Sequence, residues 1–297
     1  MLHGIIVKGI GGFYYVRSDE GDLYELRAKG RFRRERKTPL IGDRVCFEPG
    51  ADNADGWIEQ IESRESELIR PAVANIRHLL LMTAVRPEID PMLIDTLLIM
   101  ARRQGIHPVI VVNKCDLPSS DELYHQLRTD YEKADCPVFK TSALTGEGIK
   151  ELDLLLRDGL CCAAGQSGVG KSTLLSQITG ISLETGSISQ KINRGKHTTR
   201  HCELIIHGEY QVLDTPGFSL LDLGYLPSDT EPITLKEDYP EFMSYEGQCR
   251  FQPCYHLCEP GCAVLNAAKN GEISKNRLER YQQILKKTQE EWKKRYD

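Results

Sequence analysis

Residues 165–172, which read GQSGVGKS, constrain the fold more than any other stretch of this chain. They fit the pattern G-x-x-x-x-G-K-[ST] and lie between an apolar run, GLCCAAG, and an amphipathic segment, KSTLLSQITG. Glycines in such a loop let backbone N–H groups turn toward an anion, and the N-terminus of the following helix adds a positive dipole. A chance glycine-rich turn would not require a strand before it and a helix after it. The segment therefore predicts a phosphate-binding loop in an α/β sheet.

The loop supplies most of the candidate contacts to a nucleotide. Lys171 is expected to reach the β- and γ-phosphates and is a candidate catalytic residue, while the Ser172 hydroxyl is expected to bind Mg²⁺. The remaining candidates in and beside the loop are Gly165, Gln166, Ser167, Gly168, Val169, Gly170 and Thr173.

A base-recognition motif precedes this loop in the chain, within the segment VVNKCDLP at residues 111–118. Asp116 can accept hydrogen bonds from N1–H and the exocyclic amine of guanine, a pair of donors that adenine lacks. Asn113 can reach the Hoogsteen edge of the base, and the aliphatic stem of Lys114 can pack on the ring. These contacts predict GTP, and GDP after hydrolysis, as the nucleotides.

Three further segments are candidates for the same site. TSALTGEG follows a predicted strand, and the backbone at Ser142 and Ala143 is expected to touch the base oxygen. DTPG ends another strand, where Asp214 suits a Mg²⁺-linked position and the Gly217 N–H can approach the γ-phosphate. The loop GKHTTR contains Thr198 and Thr199, either of which could complete the Mg²⁺ shell.

The chain order of these motifs is base recognition, then phosphate loop, then the γ-phosphate segments. From Ile69 onward, apolar strands alternate with amphipathic helices, which predicts a mostly parallel sheet with helices on both faces. The strands of such a sheet can be cut at one surface loop and rejoined at the old termini without moving. The order therefore predicts a circular permutation.

The first 65 residues have a different pattern, with short alternating apolar segments and glycine-rich or charged turns. This predicts a small closed β-barrel of the OB-fold type, without a helix. The segment KGRFRRERK at residues 29–37 is expected to be a loop that attracts phosphate through Arg31, Arg33, Arg34 and Arg36, with Phe32 as a stacking group. The alternative is a solvated hairpin loop.

Cysteine spacing indicates a metal site near the C-terminus. Cys249, Cys254, His256 and Cys262 form C-x4-C-x-H-x5-C, which suits one tetrahedral Zn²⁺ per chain, although Cys258 competes as a ligand. Residues 274–296 predict a helix with an apolar face and a basic far side, either solvated or in contact with RNA.

Composition bounds the setting of the protein. No apolar run approaches the about 18 residues that a membrane span needs, and the N-terminus lacks the pattern of a secretory signal, so a cytoplasmic protein without a membrane partner is expected. The net charge of −5 conceals basic clusters and does not exclude a nucleic-acid partner.

These motifs together resemble the ribosome small-subunit-dependent GTPases known as RsgA, or YjeQ/YloQ. The resemblance covers essentially the whole chain and implies an OB-fold domain at residues 1–65, a circularly permuted P-loop GTPase domain at 66–224 and a small zinc domain with helices at 225–297. It implies a late assembly factor that binds the 30S subunit and its 16S rRNA, contacts rRNA through the OB and zinc domains and is monomeric when free. Similarity to the switch residue of related GTPases favours Thr199 as the Mg²⁺ ligand and places it in the catalytic set.

Hydrolysis also needs a positioned water, and the residue after the DTPG glycine is Phe218, which cannot orient one. His197 is the nearest candidate catalytic residue, with a purely structural role as the alternative. The incomplete site predicts a GTPase that is slow by itself, and the family resemblance implies that the small subunit stimulates it. Two alternatives remain: an RNA-binding module in which GTP only sets the conformation, or a GTPase that serves another RNA or a cell-envelope process.

Overall fold

The structure is a computed structural model that describes residues 1–35, 37–50, 55–68, 72–88, 90–183, 202–214, 226 and 230–294. The strands are β1 (Leu2–Ile10), β2 (Phe13–Ser18), β3 (Leu23–Ala28), β4 (Arg44–Glu48), β5 (Gly56–Ile61), β6 (Glu67–Leu68), β7 (Val73–Ala74), β8 (His78–Thr83), β9 (His107–Val112), β10 (Val138–Lys140), β11 (Leu160–Gly165), β12 (Glu203–His207) and β13 (Tyr210–Asp214). The helices are α1 (Gly30–Arg34), α2 (Pro91–Arg103), α3 (Ser120–Tyr131), α4 (Ile149–Leu156), α5 (Lys171–Thr179), α6 (Pro240–Met243), α7 (Ala263–Lys269), α8 (Lys275–Lys293) and a 3₁₀ helix (Pro232–Asp238).

The N-terminal region is a closed five-stranded barrel with strand order β1-β2-β3-β5-β4. Alternation along the strands directs apolar side chains into its core, which contains Ile6, Val16, Leu26, Val45, Phe47 and Ile58. Closure leaves no free sheet edge. The predicted OB-type barrel is confirmed.

The prediction that residues 29–37 form a basic loop is partly wrong. Its first part forms the short helix α1, and Phe32 is only 5% exposed because it packs into the barrel core. The helical period turns Phe32 inward while Arg31, Arg33 and Arg34 stay exposed. Phe32 is therefore a core residue and cannot stack on a base, and Arg36 lies outside the described residues.

The central region contains a six-stranded sheet in the order β10-β9-β8-β11-β13-β12. Its pairs are parallel except for the β12–β13 hairpin, as the alternating pattern predicts. The phosphate-loop strand β11 divides the sheet. The strands that follow it in the chain, β12 and β13, lie on one side, and the strands that precede it, β8, β9 and β10, lie on the other. This arrangement explains how the base motif can precede the phosphate loop without a change in the sheet.

The C-terminal region is helical and shares its core with the central region. Ile99 of α2 packs in one cluster with Tyr239, Phe242, Val264, Tyr281 and Leu285. Helix α8 begins at a Ser274 N-cap, whose hydroxyl accepts a hydrogen bond from the Arg277 N–H. The predicted C-terminal helix is confirmed, and its apolar stripe faces this core. Among the described helices, none has the length and hydropathy that a membrane span requires.

A buried ionic cluster joins α8 to α2 and α3. The Arg277 side chain is 1% exposed and donates to Asp95 at 2.5 Å and to Glu241 at 2.8 Å. Arg280 donates to the same Asp95 at 2.5 Å and lies 3.4 Å from Asp130 of α3. The Arg277 guanidinium also lies over the Tyr131 and Tyr239 rings, 4.9 and 4.6 Å from their centroids. These ion pairs link the C-terminal region to α2 and α3 of the central region.

Candidate nucleotide site and metal centre

The sequence motifs meet at one edge of the central sheet. Parallel pairing places Gly165, at the end of β11, beside Met82 of β8, and Thr83 beside Val112 of β9. The phosphate loop and the Asn113 motif therefore leave neighbouring strands at the same carboxyl edge, where ligands of such sheets bind.

The phosphate loop turns sharply into α5. Gly168 and Gly170 have φ angles of +86° and +91°, a region that favours glycine. A Cβ atom at Gly170 would lie 2.6 Å from Asn113 Nδ2, so a larger residue would clash with the base motif. Glycine at this position therefore permits both the turn and the close approach of the two motifs.

The Lys171 side chain folds back over the loop. Its Nζ donates to the carbonyl oxygens of Gly165 at 2.7 Å and Gln166 at 3.1 Å. Burial lowers the pKa of this ammonium group. The ammonium group is therefore held against carbonyl oxygens of the phosphate loop, and phosphate oxygens could replace these carbonyl partners.

The base motif is hydrogen-bonded directly to the phosphate loop. Asn113 Nδ2 donates to the Val169 carbonyl at 2.8 Å, and Lys114 Nζ donates to the Gly168 carbonyl at 2.6 Å. Asn113 Oδ1 accepts from Thr141 Oγ1 at 3.2 Å. One amide hydrogen of Asn113 is left for a base after the bond to Val169. The structure thus brings together two motifs that are more than fifty positions apart in the chain.

A third loop orients Asp116. The buried Ser142 hydroxyl donates to Asp116 Oδ1 at 2.5 Å, and Ser142 Oγ itself accepts a hydrogen bond from the Thr145 N–H at 3.2 Å. Sequence reasoning assigned Ser142 a backbone role and did not assign Thr141 at all. The hydroxyls of Thr141 and Ser142 hold the side chains of Asn113 and Asp116, and the adjacent Thr-Ser pair directly after β10 is the signal that could have indicated this.

Other candidates are placed in part or not at all. Ser172 and Thr173 lie in the first turn of α5, Ser167 lies in the exposed turn of the phosphate loop, and Ala143 follows Ser142. Asp214 ends β13, where its backbone pairs with Glu203. The remaining candidates lie outside the described residues, and they are His197, Thr198, Thr199, Gly217 and Phe218.

The predicted metal ligands converge in the C-terminal region. One ligand atom from each of Cys249, Cys254, His256 and Cys262 lies within 4.8 Å of the others, and all four residues are buried. The Cys249 and Cys262 sulfurs are 3.8 Å apart, and His256 Nδ1 is 3.2 Å from Cys262 Sγ. Tetrahedral zinc with Zn–S bonds of about 2.3 Å requires sulfurs about 3.8 Å apart, so the donor set fits this metal.

The surroundings favour the metal-binding form of Cys249 and His256, whereas burial raises the pKa of Cys254 and Cys262. Burial opposes ionisation of Cys249, but N–H groups at residues 263 and 264 and the neighbouring thiols lower its pKa. Burial, reinforced by Lys236, lowers the pKa of His256 and keeps the imidazole neutral, as a metal ligand must be. Cys258, the competing thiol of the sequence, is exposed and lies outside the cluster.

Comparison with known proteins was made for the whole chain. The model of a family described as RsgA GTPase matches residues 61–224, and a model described as RsgA N-terminal domain matches residues 3–58. A protein of Halalkalibacterium halodurans named small ribosomal subunit biogenesis GTPase RsgA is 41% identical, covering 100% of both chains. A relative of the same name from Ruminiclostridium cellulolyticum is 45% identical over 96% of this chain and 93% of its own.

The chain belongs to the RsgA GTPase family. Solved structures agree with this assignment. YjeQ from Thermotoga maritima is 34% identical with a TM-score of 0.80, covering 97% of this chain and 98% of its own. YloQ, described as a circularly permuted GTPase, is 29% identical with a TM-score of 0.77, covering 98% of this chain and 96% of its own. The predicted family resemblance is confirmed.

A further family model, described as a 50S ribosome-binding GTPase, matches residues 161–289. This match begins on β11, immediately before the phosphate loop, and leaves out the Asn113 motif, which lies earlier in this chain. The match therefore starts at the strand that separates β8, β9 and β10 on one side of the sheet from β12 and β13 on the other. A GTPase domain is thus supported by its own matched segment as well as by the RsgA model.

Proposed function

We propose that this GTPase acts as a late assembly factor of the 30S ribosomal subunit, which stimulates its GTP hydrolysis. The observation that carries the proposal is the bonding of Asn113 and Lys114 to the phosphate loop. These hydrogen bonds hold the base-recognition motif against the phosphate-binding loop. The chain is also similar over nearly its full length to proteins named small ribosomal subunit biogenesis GTPase RsgA.

In this proposal, each motif has a defined task. Asp116, aligned by Ser142, accepts the two guanine donors, and Asn113 and Lys114 contact the edge and face of the base. The backbone of the phosphate loop and Lys171 bind the phosphates. Bound Mg²⁺ would neutralise charge that develops on the phosphate oxygens during transfer. Ser172 would hold it, with Asp214 and Thr199 completing its surroundings.

The remaining site assignments are extensions of the same proposal. Thr198, Thr199 and Gly217 contact the γ-phosphate end of the nucleotide, and His197 assists hydrolysis in place of the residue that Phe218 cannot supply. An intrinsically slow site would fit a GTPase that waits for its ribosomal partner before turnover.

The C-terminal cluster is proposed to bind one Zn²⁺ per chain through Cys249, Cys254, His256 and Cys262. The metal would supply a rigid cross-link between the loop at residues 249–262 and α7, which follows directly. Buried sulfurs at the spacing required by tetrahedral zinc support this assignment.

We assign residues 1–65 to an OB-fold RNA-binding domain, 66–224 to the permuted GTPase domain and 225–297 to the zinc domain. The first and third would contact 16S rRNA. The protein would be a cytoplasmic monomer when free.

Co-sedimentation with purified small subunits tests the proposal. The full chain should sediment with small subunits in the presence of a non-hydrolysable GTP analogue more than in the presence of GDP, and Lys171→Ala should lose this difference. Equal sedimentation with either nucleotide would favour the alternative of a GTPase that serves another RNA or a cell-envelope process.

A further inference from the structure

Three side chains form a continuous row on the outer face of the barrel. Strand register pairs Phe13 of β2 with Arg27 of β3, and Arg27 with Trp57 of β5. Paired residues on neighbouring strands lie about 5 Å apart and point to the same face of a sheet. Phe13, Arg27 and Trp57, here called the stacking row, are therefore side by side although they come from three strands.

The row consists of planar groups that remain accessible. The Arg27 guanidinium lies over the Phe13 ring, 4.4 Å from its centroid, and half of the arginine side chain is exposed. Trp57 is 39% exposed between the buried residues Gly56 and Ile58. Strand alternation places its ring on the outer face of the barrel, where a ligand can reach it.

Cations flank the row on one side. Helix α1 follows β3 directly and exposes Arg31, Arg33 and Arg34. Within the described part of the chain, no carboxylate forms an ion pair with Arg33 or Arg34. Asp55 pairs with Arg27 at 2.7 Å, but both side chains are about half exposed, and such a pair is weak. The face therefore offers planar groups next to unneutralised positive charge.

The other end of the same face is covered by the GTPase region. Arg17, further along β2, donates to the Ile206 carbonyl at 2.9 Å, and Lys8 pairs with Glu203 at 2.7 Å. These contacts involve the end of β2 that is opposite to Phe13, the first residue of that strand.

We infer that the stacking row binds unpaired bases of single-stranded RNA, while the α1 arginines contact its phosphates. Aromatic rings and arginine planes stack on any base, and a cationic groove beside them follows the backbone. The face formed by β2 and β3 is also the surface on which OB-fold barrels bind oligonucleotides. The inference rests on the proposed function, because it names the chemistry by which the N-terminal domain would engage the RNA of its partner.

The test uses the full-length protein and an oligouridylate of about 12 nucleotides, within the site size of one such barrel. The chain has two tryptophans, so Trp292→Phe leaves Trp57 as the single tryptophan fluorophore. Its fluorescence should be quenched as oligouridylate is added. Trp57→Ala, Phe13→Ala and Arg27→Ala should each weaken binding roughly 5- to 100-fold.

Matched variants separate stacking from charge and from folding. Arg27→Lys keeps the positive charge but removes the planar guanidinium, and it should weaken binding as Arg27→Ala does. Leu23→Ala alters a residue that is 63% exposed at the far end of the same strand, and it should bind as the wild type does. Thermal unfolding of each variant checks that the barrel is intact.

Two results would overturn the inference. The first is row variants that bind like Leu23→Ala, and the second is a duplex that competes as well as the single strand at equal phosphate concentration. The outcome is separable from the proposed function. A wild-type protein that small subunits stimulate but that does not bind the oligonucleotide overturns the row alone. Binding that the row variants lose supports the row even where subunits do not stimulate turnover.

Discussion

Removal of the Arg277 side chain charge should release the C-terminal region from the GTPase region. In Arg277→Met, Glu241 loses its ion-pair partner and Asp95 keeps only Arg280. Both carboxylates are almost fully buried, and removal of one partner from such a pair costs about 3–5 kcal/mol. Because Arg280 still compensates Asp95, we expect the lower end, about 3 kcal/mol.

Two comparisons give this value meaning. Arg77→Met removes an exposed arginine that pairs with Asp158 at 2.9 Å, and it should destabilise the protein far less than Arg277→Met does, because exposed ion pairs are weak. The double variant Arg277→Met/Glu241→Met should recover most of the lost stability. It removes the Glu241 carboxylate that the single variant leaves buried without a partner, and it replaces both charges by apolar side chains.

Urea unfolding measures the effect. In a Trp57→Phe background, the fluorescence of Trp292 reports the environment of α8, and circular dichroism reports the whole chain. A multidomain chain need not unfold in one step, so the α8 transition is analysed by itself. If Arg277→Met shifts this transition no more than Arg77→Met does, the cluster does not fasten the two regions and the reasoning is wrong.

The remaining predictions concern the two sites. Asp116→Asn should shift preference from GTP toward xanthosine triphosphate, because the amide presents a donor where the guanine donors bind; unchanged selectivity in a competition assay would remove Asp116 from the base site. Lys171→Ala should abolish measurable GTP turnover while the fold, followed by circular dichroism, is retained; normal turnover would contradict the phosphate-loop assignment. Cys254→Ser should sharply reduce the one zinc per chain expected by elemental analysis, whereas Cys258→Ser, at an exposed thiol, should not; equal loss in both would refute the ligand set.

Local motifs could be predicted from the sequence because each carries its own geometry. Glycines at 168 and 170 specify the turn of the phosphate loop, and the placement of each motif after an apolar run predicts a common sheet edge. The C-x4-C-x-H-x5-C spacing likewise predicts ligands that are close in space, and the structure brings them together. Such features depend on neighbours in the sequence and need no knowledge of distant packing.

Features that depend on packing or register were missed. Phe32 lies within a run of arginines, and only the closure of the barrel shows that its ring fills the core. Arg277 belongs to a basic helix that was predicted to be solvated or to contact RNA, but Asp95 of a distant helix draws it into a buried pair. The stacking row depends on the pairing of three strands, because β3, α1 and β4 lie between Phe13 and Trp57 in the chain.

The central claim is that the small ribosomal subunit is the partner that stimulates GTP hydrolysis. The most direct measurement is the rate of phosphate release by the full-length protein alone, with purified small subunits and with purified large subunits, at equal subunit concentration and with Lys171→Ala as the inactive control. We expect small subunits to raise the rate well above that of the protein alone and large subunits to leave it unchanged. An unchanged rate with small subunits, or equal stimulation by both, would contradict the account.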